Sequence, residues 1–88
     1  MRDKVYYERI LRKLTPEQVR AVYILSRNNW TRGRRKGVNH ACHHACRALV
    51  RMGLAEEDSN DIYRFYSLNK DGYQIQRLLW GLDVEPEK

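Results

Sequence analysis

The sequence predicts one small domain of the α+β class, mainly α-helical with a small β-hairpin. Its 88 residues are the length of a single domain. Apolar residues recur at helical spacing in several segments, and two strand-like runs between residues 54 and 68 are separated by turn-forming residues. We therefore expect a single domain over residues 1–82, followed by a flexible polar tail over residues 83–88.

Two helices are predicted in the first third of the chain. The first has an apolar stripe at the spacing i, i+3, i+4 and i+7, formed by Tyr7, Ile10, Leu11 and Leu14. A new helix then starts, with Thr15 as its N-cap, Pro16 at its first position and Gln18 completing a capping box. This second helix is apolar around much of its circumference as far as Leu25, and Asn28-Asn29 is expected to end it. We predict that it is the central buried helix.

The middle of the chain predicts a short strand, a basic segment and a third helix. Trp30-Thr31 is the candidate strand, and Arg32-Gly33-Arg34-Arg35-Lys36-Gly37 follows it. Each glycine there disfavours a helix by about 1 kcal/mol relative to alanine. Asn39 is the expected N-cap of a helix over residues 40–52, and Gly53 is its expected stop. The inner face of this helix is predicted to hold Cys42, Cys46 and Leu49.

A hairpin and a last helix complete the predicted elements. Residues 54–57 and 62–68 are expected to form two strands, joined by a turn at Asp58-Ser59-Asn60-Asp61. Asn69 is the expected N-cap of the last helix. Its apolar stripe, again at helical spacing, comprises Ile75, Leu78, Leu79 and Leu82.

Part of this chain resembles winged helix-turn-helix regulators of the multiple-antibiotic-resistance type and their relatives. Residues 48–54 resemble the end of their recognition helix, and residues 66–72 resemble their Tyr-x-Leu-Thr-x-x-Gly entry from the wing into the last helix, with Asn69 in the Thr place. Residues 15–18 resemble the opening of their first core helix. Residues 31–36 depart from the family, because they lack the apolar anchors of its first helix-turn-helix helix. The resemblance implies a winged helix-turn-helix fold that binds double-stranded DNA.

The charge distribution also favours a polyanionic partner. Residues 1–54 carry thirteen Lys and Arg against three acidic residues, a net charge of +10, whereas residues 55–88 carry four against eight, a net charge of −4. The resemblance implies that a recognition helix enters the major groove and reads bases with Asn39, His40, His43, His44 and Arg47. Phosphate contacts are expected from Arg32, Arg34, Arg35 and Lys36, and Arg64 on the wing is expected to reach the DNA backbone or the minor groove. The alternative is a basic surface that is merely solvated.

The sequence predicts no enzyme, metal or cofactor. No Gly-rich phosphate loop, catalytic triad or paired-carboxylate site is evident. Residues 42–46 suggest zinc because they contain two cysteines and two histidines, but a tetrahedral site needs four convergent ligands. We expect both cysteines to be reduced thiols, and their spacing of four residues to serve core packing.

Partners and compartment are predicted from the two terminal stripes and from what the sequence lacks. A homodimer is expected through Tyr7, Ile10, Leu11, Ile75, Leu79 and Trp80; the alternative is that the stripes pack on each other within one chain.

The acidic residues 56–58 and 61 leave a second function open, a winged-helix protein-interaction module such as a phage or mobile-element adaptor or inhibitor of host machinery. No apolar run of about 18 residues and no signal-peptide stretch is present, so we expect a cytoplasmic protein without a membrane partner.

Overall fold

The computed structural model describes residues 3–27, 29–32, 42–59 and 64–85. Within these ranges the elements are α1 (Lys4–Lys13), α2 (Pro16–Ile24), β1 (Thr31–Arg32), α3 (His43–Arg51), β2 (Ala55–Ser59), β3 (Arg64–Leu68) and α4 (Lys70–Leu79). The strands form an antiparallel sheet in the order β1-β3-β2. The predicted α+β class, with helices and a hairpin, is confirmed.

The helix starts follow the capping signals of the sequence. Thr15 and Gln18 form the predicted capping box, in which the Thr15 hydroxyl accepts from the Gln18 N–H and the Gln18 side chain accepts from the Thr15 N–H. Asp3 caps α1 by accepting from the Tyr6 N–H at 3.0 Å. α2 ends at Ile24, earlier than the predicted stop at Asn28-Asn29, because the backbone of Leu25 is already extended.

The core lies where α2 packs on α3 and α4, with α1 packed on α4 and β3 in contact with α4. α2 is central, as predicted, since Ala21, Val22 and Leu25 have almost no exposed surface. The other elements bring apolar side chains against it, chiefly Tyr7, Ala45, Cys46, Leu49, Leu54, Tyr66, Leu68 and Ile75. The buried side chain of Gln76 also joins α4 to α2: its amide nitrogen donates to the carbonyl oxygen of Val22 at 2.9 Å and to that of Leu25. These bonds satisfy carbonyls that the end of α2 leaves without helical partners.

The register of the hairpin decides which side chains share a face. Glu57 lies opposite Tyr66, and Ser59 lies opposite Arg64, so these four residues are on one face of the sheet. Glu56 lies opposite Ser67 on the other face. β2 extends through Asp58 and Ser59, which corrects their predicted place in the turn; their backbone groups pair with β3. β1 covers Thr31–Arg32, one residue later than predicted.

α3 and α4 end in the same way, at a glycine in the left-handed conformation. The φ angles are 77° at Gly53 and 80° at Gly81. After α3 the Gly53 N–H donates to the carbonyl of Val50 and the Leu54 N–H to that of Leu49, the pair of bonds of a Schellman motif. Gly81 and the residue after it repeat the pattern on α4. The predicted stop at Gly53 is thus confirmed.

Asn69 joins the start of α4 to the end of α3. Its side-chain oxygen accepts from the Gly72 N–H at 2.9 Å, which confirms the predicted cap, and its side-chain nitrogen donates to the Gly53 carbonyl at 2.5 Å. After α4 the chain turns back: Arg77 donates to the Asp83 carbonyl at 2.8 Å, and the Glu85 N–H donates to the Gln74 side chain at 2.7 Å. Residues 83–85 therefore contact α4, where the sequence predicted a loose tail.

The described helices are also too short and too polar to cross a membrane.

Candidate nucleic-acid interface

α3 starts later than the sequence suggested. It begins at His43, and the backbone of the preceding Cys42 is extended, with φ −66° and ψ 131° and no side-chain capping bond. The predicted continuous helix over residues 40–52 is therefore wrong at Cys42, where the backbone is extended. Asn39, His40, Arg34, Arg35 and Lys36 lie outside the described residues.

α3 separates apolar from basic side chains. Ala45, Cys46 and Leu49 are buried, which confirms the inner face predicted for Cys46 and Leu49, while Cys42 is half-buried. On the exposed side lie His44, Arg47 and Arg51. No hydrogen bond or ion pair within the described part of the chain occupies Arg47 or Arg51. Among the described residues both guanidinium groups therefore lack a direct bond, although the charge of Arg47 acts on Glu57.

The sequence around α3 lacks acidic residues over a long stretch. Residues 18–55 contain no Asp or Glu. They contain the cations Arg20, Arg27, Arg32, Arg34, Arg35, Lys36, Arg47 and Arg51. α3 and the basic segment before it therefore belong to one continuous cationic block, which is the strongest electrostatic feature of the chain.

A polar cluster joins the start of α3 to the hairpin. The buried hydroxyl of Tyr66 on β3 lies 2.7 Å from His43 Nδ1. Glu57 faces Tyr66 across the strand pair. Burial alone would raise the pKa of Glu57, but hydrogen bonds from Tyr66 and Ser59 and the nearby charges of Arg47 and Arg64 lower it overall. Glu57 is therefore ionised at neutral pH.

The ionised carboxylate decides how the protons of the cluster are placed. A carboxylate can only accept, so the Tyr66 hydroxyl donates to Glu57 and accepts from His43 Nδ1–H. Burial and the charges of Arg64, His44 and Arg47 lower the pKa of His43, although Glu57 opposes this. His43 is thus neutral at pH 7, with Nε2 as an acceptor. Nε2 becomes a second donor only when the imidazole ring is protonated.

Arg64 lies at the start of β3, beside this cluster. Its guanidinium is 4.0 Å from the Glu57 carboxylate, and both side chains keep contact with solvent. An exposed pair at that distance contributes about 1 kcal/mol or less, so Arg64 can exchange Glu57 for another anion.

The structure therefore brings together four of the predicted DNA-contacting residues, His43, His44, Arg47 and Arg64. Of Arg32 it gives the place in β1, opposite Phe65. The sequence analysis missed Glu57 and Tyr66. The signal in the sequence was that Glu57 and Ser59, and likewise Arg64 and Tyr66, are two residues apart and so share a strand face. Pairing them across the hairpin required its register.

The part of the chain that the structure describes places the cysteines in the packing of α3. Cys46 is buried, and desolvation raises the pKa of its thiol to about 12, so it stays protonated. Among the described residues no group of three or more His, Cys, Asp or Glu side chains could hold a metal ion.

The predicted dimer residues are divided between the interior and the surface. Tyr7 is 3% exposed and Ile75 is 0% exposed, so neither has surface left for a partner. α1 packs on α4, and the Tyr7 hydroxyl donates to the Asp71 carboxylate at 2.8 Å. Ile10, Leu11 and Leu79 are half-buried against the same core. This is the arrangement within one chain that the alternative interpretation expected. Trp80 is 47% exposed and lies edge-on to Tyr23, with ring centroids 6.3 Å apart.

Comparison of the chain with protein-family models, curated proteins and solved structures finds no match.

Proposed function

We propose that this chain is a small winged helix-turn-helix protein that binds double-stranded DNA and acts as a transcriptional regulator. The observation that carries the proposal is the one-sided charge of α3, whose exposed arginines Arg47 and Arg51 form no hydrogen bond or ion pair among the described residues. The order α2, β1, α3, β2, β3 is compatible with a winged helix, with α3 as recognition helix and the hairpin as wing.

The dimensions and chemistry of α3 suit the major groove. That groove is about 12 Å wide and admits one helix. Arg47 lies one turn into α3, where its guanidinium can donate two hydrogen bonds to a guanine, and His44 lies in the first turn beside it. Arg51 and Arg64 flank this position and are suited to phosphates, because single charge contacts there do not require base-edge geometry.

The hairpin limits how the wing can lie on DNA. Glu56, Glu57 and Asp58 are consecutive on β2, an edge strand of the sheet, and would repel phosphates. In this proposal the duplex lies against α3 and Arg64, and the acidic edge of β2 lies away from the DNA backbone. The same acidic edge favours the second candidate function, a winged-helix protein-interaction module whose partner is basic.

The test compares paired arginine substitutions in a fluorescence anisotropy titration of a mixed-sequence duplex at two salt concentrations. Arg47→Ala with Arg51→Ala removes the exposed arginines of α3, and Arg34→Ala with Arg35→Ala removes two cations of the basic segment. Each pair should weaken binding and make the slope of log affinity against log salt shallower by up to about 2, since each phosphate contact contributes about 0.9.

The matched control is Arg9→Ala with Arg12→Ala, two exposed arginines of α1, which changes the net charge equally. It should leave the salt slope almost unchanged. Equal losses in all three double variants would show that net charge alone attracts DNA. No binding of duplex at low salt would overturn the proposal and favour the protein-interaction module.

Homodimerisation stays a prediction. Because Tyr7 and Ile75 are buried, we propose that a dimer would form around the predicted residue Trp80 together with Tyr23, its exposed aromatic neighbour. A symmetric pair would match two half-sites about one turn of DNA apart. Sedimentation equilibrium at micromolar concentration should give a dimer mass that Trp80→Asp reduces to a monomer mass. A monomer mass for the unaltered chain would contradict the prediction.

A further inference from the structure

A shallow trough lies on the face of the sheet opposite to the Glu57–Tyr66 cluster. Its volume is about 290 Å³. The loop after α2 contributes Arg27 and Trp30, the hairpin contributes Glu56 and Ser67, and the start of α4 contributes Lys70. Glu56 and Ser67 are opposite each other in the strand register, so both belong to this face. The trough thus lies on the face of the sheet opposite to Glu57, Tyr66 and Arg64.

The walls of the trough are held in place by the fold. The Ser26 carbonyl accepts from the Leu68 N–H at 2.8 Å and from the Ser67 hydroxyl at 3.2 Å, which ties the loop to β3. The guanidinium carbon of Arg27 lies 5.3 Å from the centroid of the Tyr73 ring, a cation–π contact that orients the side chain. These contacts position the Ser26 backbone and the Arg27 side chain before a ligand binds, which lowers the ordering cost of those two parts.

The charged groups of the trough do not neutralise one another. No ion pair within the described residues involves Arg27, Glu56 or Lys70. Lys70 is also the first residue of α4, where the amides of the first turn add partial positive charge. The trough thus presents two cationic side chains and one carboxylate, beside an indole ring that is 48% exposed at Trp30.

We propose that this trough binds a small zwitterion that carries a carboxylate, an ammonium group and a planar or apolar side chain, the chemistry of a free aromatic amino acid. The ligand carboxylate pairs with Arg27 and Lys70, its ammonium pairs with Glu56, and its side chain stacks on Trp30. Ser67 Oγ, which already donates to Ser26, retains lone pairs that accept from the ammonium.

The single acidic group favours a zwitterion over a nucleotide. A nucleoside monophosphate could stack on Trp30 and pair its phosphate with the two cations. It has no cation for Glu56, however, and would place a doubly charged phosphate near that carboxylate. An amino acid satisfies all three charged side chains at once.

The experiment uses the full chain with Trp80→Phe, so that Trp30 is the sole indole, and titrates it with L-phenylalanine. Trp30 fluorescence should change saturably, and amide shifts in a ¹H–¹⁵N spectrum should concentrate at residues 27, 30, 56 and 67–70. N-acetyl-L-phenylalanine lacks the ammonium and L-phenylalanine amide lacks the carboxylate, so each should bind about tenfold more weakly, as the loss of one charge-assisted contact predicts.

Variants assign each charge to its partner. Glu56→Gln should weaken the binding of L-phenylalanine about tenfold but leave the binding of N-acetyl-L-phenylalanine unchanged. Lys70→Gln should likewise weaken the binding of L-phenylalanine about tenfold but leave that of L-phenylalanine amide unchanged. The exposed residues Glu17 and Lys13, changed to glutamine, are the matched controls and should have no effect.

Three outcomes would overturn the inference. These are no saturable response to L-phenylalanine, equal binding of all three phenylalanine forms, and tighter binding of adenosine monophosphate than of L-phenylalanine. None of these measurements uses DNA, so the inference stands or fails separately from the proposed function.

Discussion

α3 and α4 have similar lengths and the same glycine C-terminus, yet they use their polar side chains in opposite ways. α4 buries Gln74 and Gln76, which bond to Glu85 and to carbonyls at the end of α2. α3 buries no charged or amide side chain and presents Arg47 and Arg51 to solvent. The buried amides of α4 stabilise this chain, whereas Arg47 and Arg51 of α3 form no hydrogen bond or ion pair among the described residues.

The N-termini of α3 and α4 also differ, because only α4 has a side-chain cap. α4 starts at a side-chain cap, Asn69, whose amide also bonds to Gly53. α3 starts at Cys42 without a side-chain cap, and its first turn is held by the bond between His43 and Tyr66. A capped, internally bonded helix is typical of a structural element. An uncapped cationic helix beside a titratable cluster is typical of a surface that acts on a partner.

The largest effect is expected from adding a side chain at Gly72, where α4 packs tightly against the segment that follows α3. A Cβ added at Gly72 would lie 2.0 Å from the Leu54 carbonyl oxygen and 2.9 Å from Leu68 Cδ2. Neither α4 nor the hairpin can yield without losing the Asn69 cap. We expect Gly72→Ala to lower the free energy of unfolding by about 3 kcal/mol, measured by urea denaturation.

Gly53→Ala and Gly81→Ala are the controls for this substitution. Both glycines have positive φ with open space around the added Cβ, so only backbone strain of about 1–2 kcal/mol opposes alanine. A loss at Gly72 no larger than at these sites would mean that α4 is not closely packed on the Leu54 carbonyl, and the contrast with α3 would weaken.

A smaller effect is expected from the protonation of His43. The folded chain lowers the pKa of His43 below its ordinary 6.5, so the unfolded chain binds this proton more readily. Stability should be complete above pH 6.5 and fall as the pH decreases below it. Glu57, whose pKa is also lowered, should add a further loss below its ordinary 4.5. Thermal melts of His43→Gln should lack the first decline and keep the second, whereas His44→Gln should keep both.

The smallest effect concerns the thiols of α3. Because burial raises the pKa of Cys46 to about 12, its alkylation by iodoacetamide in the native state should be slower than that of half-buried Cys42. Cys46→Ala should leave a small cavity and lower stability modestly, without loss of a metal. Stoichiometric zinc in protein purified without added metal would contradict this prediction.

Local signals in the sequence predicted the ends of several elements correctly. The capping box of Thr15 and Gln18, the Asn69 cap and the Gly53 stop depend on a few neighbouring residues, so they could be identified without tertiary information. The start of α3 was placed too early because Asn39 is a good N-cap by residue type. In the structure Cys42 is extended, and α3 begins at His43. The interface residues Tyr7 and Ile75 were misplaced because an apolar stripe does not indicate which surface will cover it.

The amino-acid sequence by itself determined the α+β class, the central place of α2 and the cationic block around α3, since periodicity, caps and charge are properties of neighbouring residues. Tertiary structure alone decided the Glu57–Tyr66–His43 cluster and the Trp30 trough. Both depend on the register between β2 and β3 and on the packing of helices distant in sequence. A shift of one residue in that register would exchange the two faces, placing Glu57 where Glu56 now lines the trough.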